Sequence, residues 1–358
     1  MNKTLKLILK IAVSILLALM LVVTGYVSYV MFSYSRISDK KNITPQGEAQ
    51  NMAVNYTEYT IVTQNVGFGA YSPDFTFFMD GGKESRAKSK DSVLENIGKA
   101  YDKVSSFNPD FVMLQEVDTD SDRSHHVDQR KFFEEKFLGY TSVYAVNYHS
   151  AYLFYPIFKP HGKSNSGMST FSKFEITQSV RRSLPISTGF SKFLDLDRCY
   201  TVSRVPCSSG RELVLYNVHT SAYGGSDEIR TAQLRMLFED MQAEYDKGNN
   251  VICGGDFNHD FTGTSTKDLN GGEEVDFGWA QPLPTDLLSD DFKLCTDYKD
   301  GLKPTCRNCD VPYKAGNFTI IVDGFIVSRN VSVVSVENID TGFEYSDHNP
   351  VVLKFKLY

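Results

Sequence analysis

Glu116, His219, Asp256, Asn258, Asp323, Asp347 and His348 all fall at or near the ends of apolar, strand-like runs. A strand buried in a layered fold delivers its terminal side chains to one rim, and several strands ending this way can converge on a single pocket. Carboxylates and an amide brought together suit a hard divalent cation, Mg²⁺ above all, which takes oxygen ligands and keeps several waters. Imidazoles beside such an ion can position a phosphoryl oxygen or transfer a proton. Each residue also has an ordinary explanation. Asp323, between Val322 and Gly324, fits a turn, and Asp347-His348-Asn349-Pro350 fits a tight loop. His219 alone would be a hydrogen-bonded rim histidine, and Gly254-Gly255-Asp256-Phe257-Asn258 a flexible turn. These explanations do not account for the recurrence of one chemistry in one strand context.

The elements that must position these groups are legible as β-branched and aromatic runs. Strands are predicted over Tyr59–Asn65, Phe111–Glu116, Glu212–His219, Asn250–Asp256, Ile320–Val327 and Val351–Phe355. One helix carries Val93, Ile97, Tyr101 and Val104 at helical spacing, with Ser92 and Glu95 as its expected capping box and Asn108-Pro109 as its stop. A second starts near Ser226 and presents Leu234, Phe238, Met241 and Tyr245 as its buried stripe, with Gly248 closing it. Strands mixed with helices imply a layered α/β architecture, the remainder being hairpins and loops.

In order along the chain, TQN (63–65), LQEV (114–117), SGMSTFSK (166–173), NVH (217–219), GGDFN (254–258), VDGFIVS (322–328) and SDHNPV (346–351) resemble the endonuclease/exonuclease/phosphatase superfamily, from Tyr56 to Tyr358. The resemblance implies an α/β fold, a four-layer sandwich of two packed mixed sheets with helices outside, in one domain. It implies Glu116 as the principal Mg²⁺ ligand, with Asn65 beside it and Asp347 assisting the metal site; Mn²⁺ is the alternative ion. By the same resemblance Asp256 orients or deprotonates the attacking water, Asn258 holds a phosphoryl oxygen, His348 contacts the phosphate with Asp323 as its carboxylate partner, and His219 sits near the leaving group. The implied reaction is in-line attack of water on phosphorus.

Before that body lies an apolar stretch. Ile11–Phe32 is 22 residues without a charge, roughly 33 Å of helix at 1.5 Å per residue, against a bilayer core of about 30 Å. A signal peptide would be shorter and end in small residues, whereas Tyr26-Val-Ser-Tyr-Val-Met-Phe32 is bulky and aromatic. Residues 1–41 are therefore expected to be a single-pass membrane anchor, 42–55 a polar tether and 56–358 the catalytic domain. Lys3, Lys6 and Lys10 favour a cytoplasmic N-terminus, with the catalytic domain outside the cytoplasm, while Arg36, Lys40 and Lys41 weigh the other way.

Charge and cysteine content narrow the rest. The net charge is −7, yet residues 1–41 hold six basic side chains and one acid, so the remaining 317 residues carry −12. That disfavours a protein that coats nucleic acid through a broad basic surface. Six cysteines make no disulfide framework at this length, and the single CxxC, Cys306 and Cys309, lacks the second pair of a structural zinc site; one disulfide at most is expected. The loop 121–129 offers Arg123, His125 and His126 to a second anionic group, or is a plain exposed loop. Tyr148 could contact phosphate, or with Tyr152 form an aromatic hairpin on the core. Trp279, after the acidic stretch 271–278, lines a rim pocket or pins a loop. The expectation is a membrane-anchored, divalent-metal-dependent phosphoester hydrolase, its substrate a lipid, nucleotide or sugar phosphoester. An extracytoplasmic nuclease is the alternative, and a membrane-tethered binding module without catalysis is the alternative of another class.

Overall fold

The computed structural model describes every residue except Met1, 190–191, 193–196, 223–225, 273–277, 298, 300 and 315. The first helix, α1, runs over Lys3–Ser33 and is long and apolar enough to cross a membrane. Strands β1 (Lys41–Ile43) and β2 (Glu58–Asn65) precede α2 (Lys90–Ser105). Then come β3 (Phe111–Asp118), α3 (Gln129–Lys136), β4 (Thr141–His149), β5 (Asn165–Ser172), β6 (Gln178–Ser183), β7 (Cys199–Pro206) and β8 (Glu212–His219). After α4 (Asp227–Tyr245) follow β9 (Asn250–Asp256), β10 (Phe292–Cys295), β11 (Cys306–Arg307), β12 (Thr319–Ile320), β13 (Asp323–Ser328), β14 (Val331–Asn338) and β15 (Val351–Leu357).

Two mixed sheets result. One has the order β1-β6-β7-β8-β9-β13-β10 and the other β14-β15-β2-β3-β5-β4, with β11 and β12 as a small ribbon. Each sheet contains a parallel pair joined by a helical crossover: β2 and β3 through α2, β8 and β9 through α4. Parallel neighbours require such a crossover, because a tight turn can only reverse the chain. Ile61, Phe111, Met113 and Leu353 of one sheet meet Leu215, Ile252 and Phe325 of the other between the layers. On one outer face Val93, Ile97 and Val104 of α2 cover Val62, Val112 and Leu114. On the opposite face Leu234, Leu237, Phe238 and Met241 of α4 cover Val214, Tyr216 and Val251. Helix, sheet, sheet and helix make the expected four-layer sandwich.

Three local readings are corrected. The capping box of α2 is Ser89 with Ser92, three residues before the one expected, and Glu95 instead pairs with Lys99 at 3.0 Å. Ser92 occupies the third helical position and returns a bond to the Ser89 backbone, a role a serine hydroxyl fills as well as a carboxylate. The run 320–327 breaks into β12 and β13, because the Thr305 hydroxyl accepts the backbone N–H groups of Val322 and Asp323 at 2.9 and 3.0 Å. Residues 42–55 are not a free tether. Strand β1 pairs with β6, Gln46 and Ser142 exchange backbone bonds of 2.8 and 2.6 Å, and Ala53 N donates to Pro206 O at 2.9 Å.

The end of β9 needs glycine. A Cβ on Gly255, whose φ is +145°, would sit 2.1 Å from the Val218 carbonyl oxygen. The backbone of β8 cannot yield without opening the parallel pair, so Gly255→Ala is expected to destabilise the fold by about 2–3 kcal/mol. Urea unfolding measures this; an unchanged midpoint would show that the β8–β9 pair relaxes freely.

Candidate active site

The rim is dictated by strand direction. Asn65, Glu116, His219 and Asp256 lie at or near the C-terminal ends of the two parallel pairs, where α/β sheets place their ligands. The antiparallel neighbours contribute from their beginnings: Asp323 opens β13 directly opposite Asp256, and His348 precedes β15. Because the two sheets stack with these edges together, Glu116, His219, Asp256, Asn258, Asp347 and His348 line one pocket.

Two of these residues stand on strained backbone. The β3–β5 ladder slips between Leu114 and Val117, and Glu116 within the bulge adopts φ +55°. Asn258 has φ +46°. Left-handed geometry costs a non-glycine residue about 1–2 kcal/mol, and bulges re-aim side chains next to functional sites. At Asn258 the strain is held by its own contacts. Its N–H donates to Asp256 Oδ1 at 2.9 Å, its amide nitrogen to Thr220 O at 2.9 Å, and its carbonyl accepts from Arg230 Nη2 at 2.8 Å.

The two imidazoles are shifted in opposite directions. His348 Nδ1 is 2.8 Å from Asp323 Oδ2 and its Nε2 is 3.8 Å from Asp256 Oδ2. Burial alone would lower its pKa, but Asp323, Cys306 and Asp256 outweigh it and raise it well above the ordinary value, which favours the protonated ring. His219 is driven the other way by burial, reinforced by the positive charges of Arg198, His348 and Arg123. Its Nδ1 lies 3.4 Å from Asn147 Nδ2 and its Nε2 3.5 Å from Asp256 Oδ2. Between them Asp256 is pushed up to about 6 by burial, with His348 opposing and Asp323 adding to the rise.

Carboxylates face each other on the other side of the pocket. Burial raises Asp347 to about 7; His348 and Arg307 pull it down, while Glu116 and Asp80 push it up. Gly67 leaves room for it, since a Cβ there would fall 2.7 Å from Asp347 Oδ1. Glu116 and Asp347 thus form a repelling oxygen pair, which a divalent cation would neutralise, and the donor set fits a hard ion. Asn65 does not present its oxygen to that place. Its Oδ1 accepts Gly67 N–H at 2.9 Å, and its amide nitrogen lies 3.4 Å from Glu116 Oε1 and 3.1 Å from Asp256 Oδ2, so it orients carboxylates rather than joining them as a ligand. Asp256, Asp323 and His348 also converge within 4.8 Å, with His348 Nδ1 already taken up by Asp323 Oδ2 at 2.8 Å.

Of the loop candidates, Arg123 and Tyr148 both line the pocket, 5.6 Å apart from guanidinium to ring centre. Arg123 is held by Asp118 through bonds of 3.0 and 2.8 Å, and its Nη2 is 3.7 Å from Glu116 Oε2. His125 and His126 do not line the pocket: His125 Nε2 bonds Ala87 O at 2.8 Å, and exposed His126 pairs with Asp120 at 2.6 Å. Tyr152 bonds to α1 instead of the pocket. Trp279 lines the pocket edge-on to Phe318; the acidic residues 273–277 before it lie outside the described residues. All six cysteines are free and buried, none of them in a disulfide, and Cys306 stands beside His348 at the pocket.

The sequence did not point to Arg307. It is 2 % exposed, lines the pocket, and has Nε and Nη1 without a hydrogen-bond partner among the described residues. Its Nη2 donates to Ser72 O at 3.2 Å. A buried guanidinium with two idle donors is made for an anion, but nothing in an isolated Cys-Arg-Asn-Cys run announces it.

A stacked α/β sandwich with acids, amides and two imidazoles shifted in opposite directions on one rim is the architecture of phosphoester-cleaving enzymes and nucleases. The chain belongs to the Endonuclease/Exonuclease/phosphatase family, whose sequence profile matches residues 62–348. Among solved structures it is similar to an endonuclease/exonuclease/phosphatase from Beutenbergia cavernae (TM-score 0.54, 16 % identity, 84 % of this chain and 72 % of that one). It is also similar to ANGEL2, a 2′,3′-cyclic phosphatase (TM-score 0.54, 15 % identity, 90 % and 99 %), and to D. rerio TDP2 complexed with a single-strand DNA product (TM-score 0.51, 14 % identity, 84 % and 99 %). At these identities the likeness concerns the fold. No curated protein matches the chain.

Proposed function

We propose that this protein is a divalent-cation-dependent phosphoester hydrolase held at a membrane by α1. The observation that carries the reading is the geometry around Asp256: His219 Nε2 lies 3.5 Å and His348 Nε2 3.8 Å from its Oδ2, with Asp323 2.8 Å behind His348 Nδ1, and these surroundings raise His348 while burial lowers His219. Paired groups with pKa values driven apart mark acid and base roles.

Asp256 accepts the proton of the attacking water, while Asn65 and the Asn258 N–H hold its carboxylate in place. His348, fixed by Asp323, donates Nε2–H to a phosphoryl oxygen. Asn258 keeps a second amide hydrogen for the same group, and Arg307 supplies its idle donors. His219, with Asn147 at Nδ1, presents Nε2–H on the leaving-group side. Glu116 and Asp347 would hold Mg²⁺ or Mn²⁺, which when bound neutralises charge developing on phosphoryl and leaving oxygens.

The −12 charge of residues 42–358 counts against a nuclease. The presence together of Glu116, Asp256, Asn258 and His348 in one pocket counts against a binding module that has lost catalysis. The test is a panel of phosphomonoesters, phosphodiesters, phospholipids and single-stranded DNA, each with Mg²⁺, Mn²⁺ or chelator. Hydrolysis that stops with chelator and returns with Mg²⁺ is the expected result; activity indifferent to chelator would refute the cation, and no hydrolysis at all would favour the binding module. Labelling from either side of sealed vesicles checks the proposed extracytoplasmic placement of the domain.

A further inference from the structure

The end of α1 is bonded to the catalytic domain at a particular loop. Tyr26 Oη donates to Tyr152 O at 3.1 Å and accepts Phe154 N–H at 3.1 Å, and Tyr29 Oη accepts Tyr152 N–H at 3.2 Å. Val30, 7 % exposed, is packed by Tyr26, Tyr34, Tyr148 and Ala151. Immediately after these contacts the chain turns outward with Phe154, Tyr155, Ile157 and Phe158 exposed to 56, 66, 71 and 102 %. Lys159, also exposed, follows.

The depth of this loop follows from helix arithmetic. The charge-free stretch Ile11–Phe32 needs all of its roughly 33 Å to match a hydrocarbon core of about 30 Å. Tyr26, Tyr29 and Val30 belong to its last two turns, so the backbone of Tyr152 and Phe154 bonded to them shares their depth, at the boundary of headgroups and acyl chains. Aromatic residues favour that boundary, and lysine beside them reaches lipid phosphates. Left in water, four large apolar or aromatic side chains within five residues, next to a lipid-spanning helix, would be an unexplained cost.

The same pieces wall the pocket. Tyr148 packs on Val30 and lies 5.6 Å, ring centre to guanidinium, from Arg123. Phe78 lies against Tyr155 at 5.7 Å and against His161 at 5.8 Å, while its neighbours Phe77 and Met79 line the pocket together with His161.

We propose that the loop Leu153–Phe158 is seated in the outer boundary of the bilayer that α1 spans, and that the adjoining pocket takes the phosphoester of a membrane phospholipid. This rests on the reading of the site as a phosphoester hydrolase and of α1 as its anchor. The seated loop fixes the domain's tilt, so the pocket wall stands at the level of lipid phosphates.

Full-length protein in nanodiscs of phosphatidylcholine, phosphatidylethanolamine and phosphatidylglycerol tests it in two ways. The first compares wild type with the double variant Ile157→Asp/Phe158→Asp on disc lipids and on soluble bis-p-nitrophenyl phosphate. A loss of tenfold or more on lipids with soluble turnover kept within twofold is expected. Equal lipid turnover in the variant overturns the proposal, as does a wild type that cleaves the soluble diester and leaves all three lipids intact. The second places an environment-sensitive dye at Phe158→Cys, the native cysteines all being buried. Its emission should be blue-shifted and quenched by spin-labelled lipid. Leu138→Cys, 81 % exposed and at the far end of β4 from His149, should report water. Water-like emission at both positions overturns the seating of the loop. A wild type inert towards soluble diester and lipid alike defeats the hydrolase reading instead, with the dye still deciding where the loop lies.

Discussion

Asp256→Asn is expected to lower turnover by about 10³-fold while leaving the protein folded, the size typical of losing a positioned general base. The substitution keeps the shape and the oxygen that accepts Asn258 N–H at 2.9 Å. It removes the capacity to take a proton, together with the oxygen that accepts from Asn65 Nδ2 at 3.1 Å. The pH dependence carries a sign. Burial raises Asp256 to about 6, so the carboxylate is the active form above that value and activity falls as pH drops through it. Wild-type kcat/KM measured from pH 4 to 9 should show this acid limb, with a bound cation moving it to lower pH. The residual activity of Asp256→Asn should lack it. Near-normal turnover, or an acid limb that survives the substitution, would remove Asp256 from the role of base.

Glu116→Gly should separate activity from stability. Without its carboxylate the oxygen pair with Asp347 is broken, and the cation proposed to sit there would lose its holder and with it several kcal/mol of charge stabilisation, about 10³-fold in turnover. Yet glycine adopts φ +55° freely. Relief of about 1–2 kcal/mol of left-handed strain then meets glycine's entropic cost of about 0.5–1 kcal/mol, so unfolding free energy should stay level or rise slightly. Urea titration beside an assay in millimolar Mg²⁺ decides it. A variant destabilised by more than about 2 kcal/mol would mark Glu116 as a structural residue of the bulge.

What could be read without coordinates was what strong side-chain signals carry. Glu212–His219 and Asn250–Asp256 were legible to the residue because β-branched runs end there in polar groups. The N-cap Ser226 of α4 was legible because a serine precedes acids and an apolar stripe. Strand β5, Asn-Ser-Gly-Met-Ser-Thr-Phe-Ser, was not legible as a strand: small residues buried on both faces show no alternation. Its role emerges only in three dimensions, where Ser169 O and Thr170 Oγ1 accept Asn217 Nδ2 at 3.0 and 3.1 Å across the sheets. Gln115 Nε2 donates to the same side chain at 2.8 Å. Arg307 was equally hidden, since its importance lies in unmet donors rather than residue type. The bulge that aims Glu116 depends on a ladder slip that no local pattern encodes.

The short path from α1 to the first sheet has a kinetic corollary. Only residues 34–40 separate Ser33 from Lys41, and even these are fastened: Arg36 Nη2 donates to Leu184 O at 2.5 Å and Ile37 N to Asp197 Oδ1 at 2.8 Å. With α1 in a bilayer, the catalytic body has no leash on which to sample the surrounding solution. For the membrane phospholipid substrate proposed above, encounters would become collisions within a film, governed by lateral diffusion and by the mole fraction of substrate in the surface. Diluting that surface with inert lipid would slow it, whereas diluting the suspension with buffer would not.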